Sequence, residues 1–251
     1  MVVARNREVL AAIFEIKAIQ PCWGYRHVAA YLRYDLGMIV NRKRVLRLMR
    51  EHDLLVKTPT HHLRASRMPQ RGKLRASAPN EVWGTDMTKV MVDGFGWVYV
   101  VFVLDWYTKQ IVGCHIGLRS RTQEWLTALD RALNRQFPEG FRDRQLKLVS
   151  DNGSQPTSRR YAETCRQLGV EQIFTSYNNP KGNADTERVM RTLKESLIYL
   201  REWRDPIVLT KEIVDWVAWY NGKRRHSTLK YRTPDEFASA YCSQPTLLRT
   251  A

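Results

Sequence analysis

Val82-Trp83-Gly84-Thr85-Asp86-Met87-Thr88-Lys89-Val90-Met91-Val92, then Asp93-Gly94, then Trp97-Val98-Tyr99-Val100-Val101-Phe102-Val103-Leu104 is the stretch that decides the fold. Both runs are rich in β-branched and aromatic residues, and Asp-Gly between them is a hairpin-type turn, so two antiparallel strands are expected. Gln110–Gly117 continues as a third strand. Beyond it the period changes: Trp125, Leu126, Leu129 and Leu133 recur at helical spacing within Thr122–Phe137. Leu146–Ser150 and Val170–Thr175 read as short strands, and Ser158–Leu168, Asp185–Glu202 and Pro206–Tyr220 as helices. Three consecutive strands followed by alternating helices and strands describe an α/β fold, a mixed five-stranded sheet with helices on its faces.

Upstream the texture is helical. Leu10, Ile13, Phe14 and Lys17 follow helical spacing, Pro21–Gly24 breaks the pattern, and Tyr25–Tyr34 resumes it. Gly37 supplies a turn, and Asn41 is placed to cap a helix running to about His52. That helix would bury Val45, Leu48 and Met49 and crowd its remaining surface with Arg42, Lys43, Arg44, Arg47 and Arg50. Two helices around a glycine turn, the second strongly basic, form a helix-turn-helix-like pattern, whose second helix enters the DNA major groove. From Leu54 to Asn80 there are six cations, no acid and no apolar period, with prolines at 59, 69 and 79. This reads as a basic linker; His61 and His62 within it have no partner ligands nearby. The expected organisation is a DNA-binding region at 1–54, a linker at 55–80, an α/β core at 81–240 and a tail at 241–251.

Charge agrees with that division. The 251 residues carry 41 Lys+Arg against 25 Asp+Glu, a net charge of +16, and residues 1–80 hold 16 of the cations but only 5 of the acids. A surface so lopsided fits a polyanion, and nucleic acid is the commonest one. A hydrophobic content of 43% suffices for a core. The longest apolar run, Trp97–Leu104, falls far short of the ~20 residues of a membrane span. Four scattered cysteines form no CxxC pair, and Arg5, Arg7 and Glu8 stand where a signal peptide would need apolar residues. No membrane role is expected, and a reducing cytoplasm is.

Three carboxylates stand out by placement. Asp86 lies inside the first strand, where an unpaired charge is costly. Asp151 ends the fourth strand, and strand carboxyl ends commonly open onto sites. Glu187 lies on the helix after the fifth strand. Asn183, Glu187, Arg191 and Lys194 recur at spacings that place them on one helix face, with Val189, Leu193, Leu197 and Leu200 opposite. An all-oxygen, anionic donor set suits Mg²⁺ or Mn²⁺ rather than zinc. Among rival acids, Asp105 reads as a turn cap, Asp185 and Glu195 as pointing away from the face of Glu187, and Asp235 and Glu236 as a helix start with a capping box. His226 could contact DNA or make a structural hydrogen bond. Trp23, Trp97, Trp106, Trp125, Trp216 and Trp219 read as core.

The flanking residues carry a resemblance. Val82-Trp83-Gly84-Thr85-Asp86-Met87-Thr88, Ser150-Asp151-Asn152-Gly153-Ser154-Gln155, Asn179-Pro180-Lys181-Gly182-Asn183-Ala184, Glu187 with Lys194 seven beyond, and Tyr220-Asn221 with Arg225-His226-Ser227 occur in order. Together they resemble the catalytic (OrfB-type) subunit of IS3-family insertion-sequence transposases, within the DDE transposase and retroviral integrase superfamily. The likeness runs from about Gly24 to Phe237, and the Asp151–Glu187 separation is the one this family shows. It implies a ribonuclease-H-like core in which Asp86, Asp151 and Glu187 hold two divalent ions, expected to be Mg²⁺, with Mn²⁺ an alternative. It also implies cleavage and strand transfer at insertion-sequence ends, with DNA contacts from the α-helical cations, Asn183, Arg191 and Lys194. Implied partners are terminal repeats, target DNA, the upstream-frame product or its fusion, and further copies of the chain on DNA, in a bacterial, nucleoid-associated setting. A DNA-binding regulator with a dead core is the alternative. A retroviral-type integrase would want an amino-terminal His–His–Cys–Cys module, and Cys22 is the only cysteine before position 114.

Overall fold

The computed structural model describes residues 2–56, 74–141, 144–175 and 182–242. Most of the basic linker, His61 and His62, the motif residues Asn179–Lys181 and the tail beyond Cys242 lie outside the described residues. The chain divides into two compact units, Met1–Gln70 and Arg71–Ala251.

Among its described residues the first unit holds three helices, α1 (Val2–Ile19), α2 (Tyr25–Tyr34) and α3 (Arg42–Glu51). The buried stripe of α1 is Val9, Ile13 and Ile16; Phe14, expected on that stripe, is 46% exposed. Val28 and Leu32 of α2 meet Val45, Leu48 and Met49 of α3 in a shared core, and Trp23 closes it against Tyr31 at 5.6 Å between ring centroids. Asn41 caps α3, its side chain accepting from the Lys43 N–H at 2.9 Å.

The second unit is built on a sheet of order β3-β2-β1-β4-β5. The strands are β1 (Val82–Val92), β2 (Gly96–Asp105), β3 (Ile111–Gly117), β4 (Leu146–Ser150) and β5 (Val170–Phe174). β1–β2 and β2–β3 are antiparallel, and β1–β4 and β4–β5 parallel. Short turns join the antiparallel strands. The parallel partners needed crossover helices, α4 (Thr122–Gln136) and α5 (Arg159–Leu168). Side chains alternate across the sheet, so each face has its own layer. Trp83, Val101, Val103, Leu146 and Leu148 pack under α4 and α5 with Trp125, Leu129 and Tyr161. Val82, Val90, Val100, Phe102, Leu104 and Val149 form the other layer with α6 (Ala184–Ser196) and α7 (Pro206–Gly222).

The helix expected over Asp185–Glu202 stops at Ser196 and continues as a 3-10 turn, Ile198–Leu200. Two indoles hold the break: Trp216 Nε1 donates to Ser196 Oγ at 2.8 Å and Trp203 Nε1 to the Ile198 carbonyl at 3.0 Å. Leu200, placed by spacing on the packed face, is consequently 48% exposed. In the last turn of α7, buried Asn221 pairs with the edge strand as another strand would. Its Oδ1 accepts from Ile111 N–H and its Nδ2 donates to Ile111 C=O, both at 2.9 Å. A capping box at Thr233 opens α8 (Pro234–Cys242), with Thr233 N–H donating to Glu236 at 2.9 Å and Glu236 N–H to Thr233 Oγ1 at 3.1 Å. Among the described residues no helix is long and apolar enough to cross a membrane.

Candidate active site

Asp86 stands midway along β1, on the central strand's α6 face by alternation with Val82 and Val90. The parallel register pairs Val82 with Lys147, Trp83 with Leu148 and Gly84 with Val149. Asp151 is the residue just after β4, two places beyond Val149, as Asp86 is two places beyond Gly84. Asp151 shares the parity of Val149, which belongs to the α6 layer. Glu187 comes to the same place on the first turn of α6. Asp86, Thr88, Glu187, Met190, Arg191, Lys194 and Glu195 line one cavity of about 390 Å³.

The three acids are felt electrostatically. Burial first, and then the negative charges of Asp151 and Glu187, raise the Asp86 carboxyl from 3.8 to about 6. The Met87 N–H, donating to Asp86 Oδ1 at 2.8 Å, and the Lys194 ammonium oppose that rise. Asp151 itself is exposed, its Oδ1 accepting from Gly153 N–H at 3.1 Å. The following loop is pinned on both sides. Asn152 Nδ2 donates to Thr175 C=O at 2.6 Å, and Gln155 Nε2 to Ser120 C=O at 2.9 Å. Among the described residues no three His, Cys, Asp or Glu side chains sit at metal-ligating spacing. The cavity is lined from β1, α6 and Tyr199, and Asp151 is not among its lining residues, so the three acids do not form a preformed cage. The donor chemistry fits a hard divalent cation: the charges of Asp151 and Glu187 raise the proton affinity of Asp86, and a bound cation would offset that repulsion.

Several sequence expectations need correction. Asn183, read as a DNA contact, is only 4% exposed, and its Nδ2 donates to Thr85 C=O at 3.1 Å. It ties α6 to β1 instead of reaching outward. Arg44 is half-buried and donates through Nε to Asn6 Oδ1 at 2.7 Å, so it braces α3 against α1. Glu195, expected to point away from Glu187, lines the same cavity, because both lie on the rim as the helix passes Lys194. Trp97 is 40% exposed near the β1–β2 turn, with Lys89 Nζ 4.3 Å from its ring centroid. On α3, Arg42, Lys43, Arg47 and Arg50 are exposed, although Arg47 lies 3.6 Å from Glu51.

Other readings agree with what is seen. Asp105, 1% exposed, accepts from Asn80, Tyr107 and Thr108 N–H groups at 2.6, 2.7 and 2.9 Å, as a turn cap does. For His226, whose two roles were left open, the ring meets Tyr220 edge-on at 5.1 Å, and the backbone N–H donates to Arg232 C=O at 3.1 Å. Sequence reasoning missed Trp106, Lys109 and Thr186, which surround the start of α6. The one available signal was Gly84, a glycine inside a strand, which marks close approach of another element.

Comparison with known proteins places this arrangement. Integrase core domain models match residues 76–180 and 168–234, and an HTH-like domain model matches residues 4–62. The transposase for insertion sequence element IS904 of Lactococcus lactis subsp. lactis is 31% identical over 214 residues, covering 81% of this chain and 83% of that protein. Transposase InsD for insertion element IS2 of Escherichia coli is 27% identical over 239 residues, covering 92% and 78%. Two solved structures share the fold. One is a chain of the simian T-cell lymphotropic virus intasome in complex with PP2A regulatory subunit B56 gamma, with TM-score 0.53 and 16% identity, covering 87% of this chain and 76% of that one. The other is the catalytic domain of Mos1 mariner transposase, with TM-score 0.50 and 14% identity, covering 65% and 76%. The α/β core is thus ribonuclease-H-like, the amino-terminal helices are helix-turn-helix-like, and the chain belongs to the IS3-family insertion-sequence transposases, proteins of DNA transposition.

Proposed function

We propose that the chain cuts and joins DNA at insertion-sequence ends in a divalent-metal-dependent reaction, with Asp86, Asp151 and Glu187 as the metal ligands. The supporting observation is the meeting of Asp86 and Glu187 in one cavity, with Asp151 directly after β4, the strand paired to β1. Two Mg²⁺, or Mn²⁺ in their place, would supply Lewis-acid activation of a water or 3′-hydroxyl and stabilisation of the departing 3′-oxygen. The protein's own groups do the rest. The sheet fixes Asp86, while the pinned 152–155 loop fixes the Asp151 backbone. Arg191 and Lys194, on the cavity wall beside Glu187, offer cations to the phosphodiester and hold the strand in register. No side-chain nucleophile is needed.

The division of labour follows the chain: residues 1–54 grip DNA through Arg42, Lys43, Arg47 and Arg50, 55–80 link, and 81–240 carry the chemistry. Terminal repeats and target duplex are the substrates. Further copies of the chain, and an upstream-frame product or fusion, complete the assembly on nucleoid DNA. The test is a strand-transfer assay with labelled candidate ends and Mg²⁺, with and without the upstream product. D86N, D151N and E187Q are expected to lose joining while retaining end binding. Joining retained by any of the three would remove that residue from the ligand set. End binding without metal-dependent cleavage by the unsubstituted chain would favour a regulator with a dead core.

A further inference from the structure

Glu187 sits in the first turn of α6, the place where helices fray most easily. Its helix is not capped in the ordinary way. Asn183 stands at the N-cap but gives its Nδ2 to Thr85 C=O on β1, and no side-chain cap bond forms. Two other contacts hold this turn, and both come from the single turn between β2 and β3. Trp106 Nε1 donates to Thr186 Oγ1 at 3.1 Å, and Thr186 is wholly buried. Lys109 Nζ lies 3.0 Å from Asp185 Oδ2, with both side chains about four-fifths covered. The β2–β3 turn is itself rigidly built: Asp105 accepts three backbone N–H groups, and Trp106 N–H donates to Val82 C=O at 3.0 Å.

Gly84 lets these groups close on the sheet. A Cβ there would lie 2.1 Å from Thr186 Oγ1 and 2.4 Å from Trp106 Nε1, distances no side chain could keep. The separation of α6 from β1 is therefore set where Gly84, Trp106 and Thr186 meet. Asp86 follows Gly84 by two residues and Glu187 follows Thr186 by one.

From these contacts we infer that the β2–β3 turn is a bracket, and that Trp106, Lys109 and Thr186 are positioning residues that set Glu187 against Asp86. The inference rests on the reading of Glu187 as a metal ligand. Misplacement of a reacting group by about 1 Å can cost ~10²-fold in rate, and loss of a group that orients a ligand costs roughly 10–100-fold. Loss of the bracket should thus appear in chemistry and metal affinity far more than in DNA affinity.

The experiment uses the full chain as T186V, T186S, W106F, the T186V/W106F double variant and E187Q. Three quantities are read: strand-transfer kcat and KM for labelled ends, Mn²⁺ affinity from the free-ion electron paramagnetic resonance signal, and the urea midpoint. T186V and W106F are each expected to keep a wild-type KM while kcat and Mn²⁺ affinity fall roughly 10–100-fold. T186S, which keeps the acceptor, should stay within about twofold of the wild-type kcat, and the double variant should be no worse than either single, since both remove one bond. If T186V does not fold, W106F reads the same bond from its other end. Inactive E187Q beside T186V and W106F of wild-type kcat and Mn²⁺ affinity would overturn the bracket alone. Active E187Q would overturn the ligand reading, and the bracket with it.

Discussion

Replacing Asp86 by asparagine should stabilise the metal-free protein at neutral pH while abolishing its chemistry. The Asp86 carboxyl is raised from 3.8 to about 6 by burial and by the charges of Asp151 and Glu187. The folded form therefore holds its proton more tightly than the unfolded chain does. As pH rises from about 4 the unfolded chain ionises first, so a penalty accrues up to about pH 6 and stays constant above it. Two pKa units at 1.36 kcal/mol each set that penalty at about 3 kcal/mol. An asparagine Oδ1 can still accept from Met87 N–H, so little is lost locally, and the gain expected at pH 7.5 is about 2–3 kcal/mol, or roughly 4–12 °C in Tm for a unit of this size. Urea melts of both proteins in a chelating buffer, run from pH 4 to pH 7.5, measure it. The difference should be near zero at pH 4 and grow to its plateau by about pH 6.5. A divalent ion at a hundred times its Kd should then stabilise the wild type by ~2.7 kcal/mol and leave D86N unmoved. Equal stability of the two proteins at pH 7.5, or a difference that ignores pH, would refute the reasoning.

Three further outcomes follow from packing and charge. Gly84→Ala forces a methyl into the Thr186–Trp106 contact; overpacking of this kind costs ~1–3 kcal/mol, and calorimetry should show it together with lost strand transfer. Asn221→Leu leaves the Ile111 N–H and C=O without the amide that pairs both. A loss of ~2–4 kcal/mol in urea melts is expected, with amide exchange accelerated along β3. Neutralising exposed Arg42, Lys43 or Arg50 should weaken binding to unrelated duplexes about equally and reduce the slope of log K against log salt by about one per phosphate contact, whereas Arg44→Ala should chiefly lower the stability of the first unit. A salt slope unchanged by all three exposed substitutions would move the DNA contact elsewhere.

Much of the framework was legible because local chemistry and global packing agree. The Asp93-Gly94 turn, the alternation of β1 and the Asn41 cap each point to the element that forms, and β1 and α2 fall on their expected residues. What periodicity cannot report is where a helix yields to tertiary contact. Leu197 and Leu200 keep helical spacing, yet the indoles of Trp203 and Trp216 end α6 at Ser196. Nor does spacing distinguish a polar side chain that faces solvent from one drawn inward. Asn183 shares the Glu187 face in sequence, but the backbone of β1 claims its amide. Trp97 shows the opposite case: an aromatic in a strand reads as core, yet it pairs with half-exposed Met91 beside the hairpin turn. Strand logic alone singles out Asp86 inside β1 and Asp151 just past β4. The bracket at Thr186 was not legible that way, because it depends on a contact eighty residues apart in the chain.

The central position of β1 also governs the order in which the proposed metal ligands come together. Its hairpin with β2 forms from neighbours in sequence, whereas β4 reaches it only after α4 has been made, and α6 only after β5. A nascent polypeptide that has emerged as far as Asp151 already owns two of the acids but lacks the helix that carries the third. On the reading proposed above, the ligand set stays incomplete until α6 has been made, and a product that stopped before it would lack Glu187.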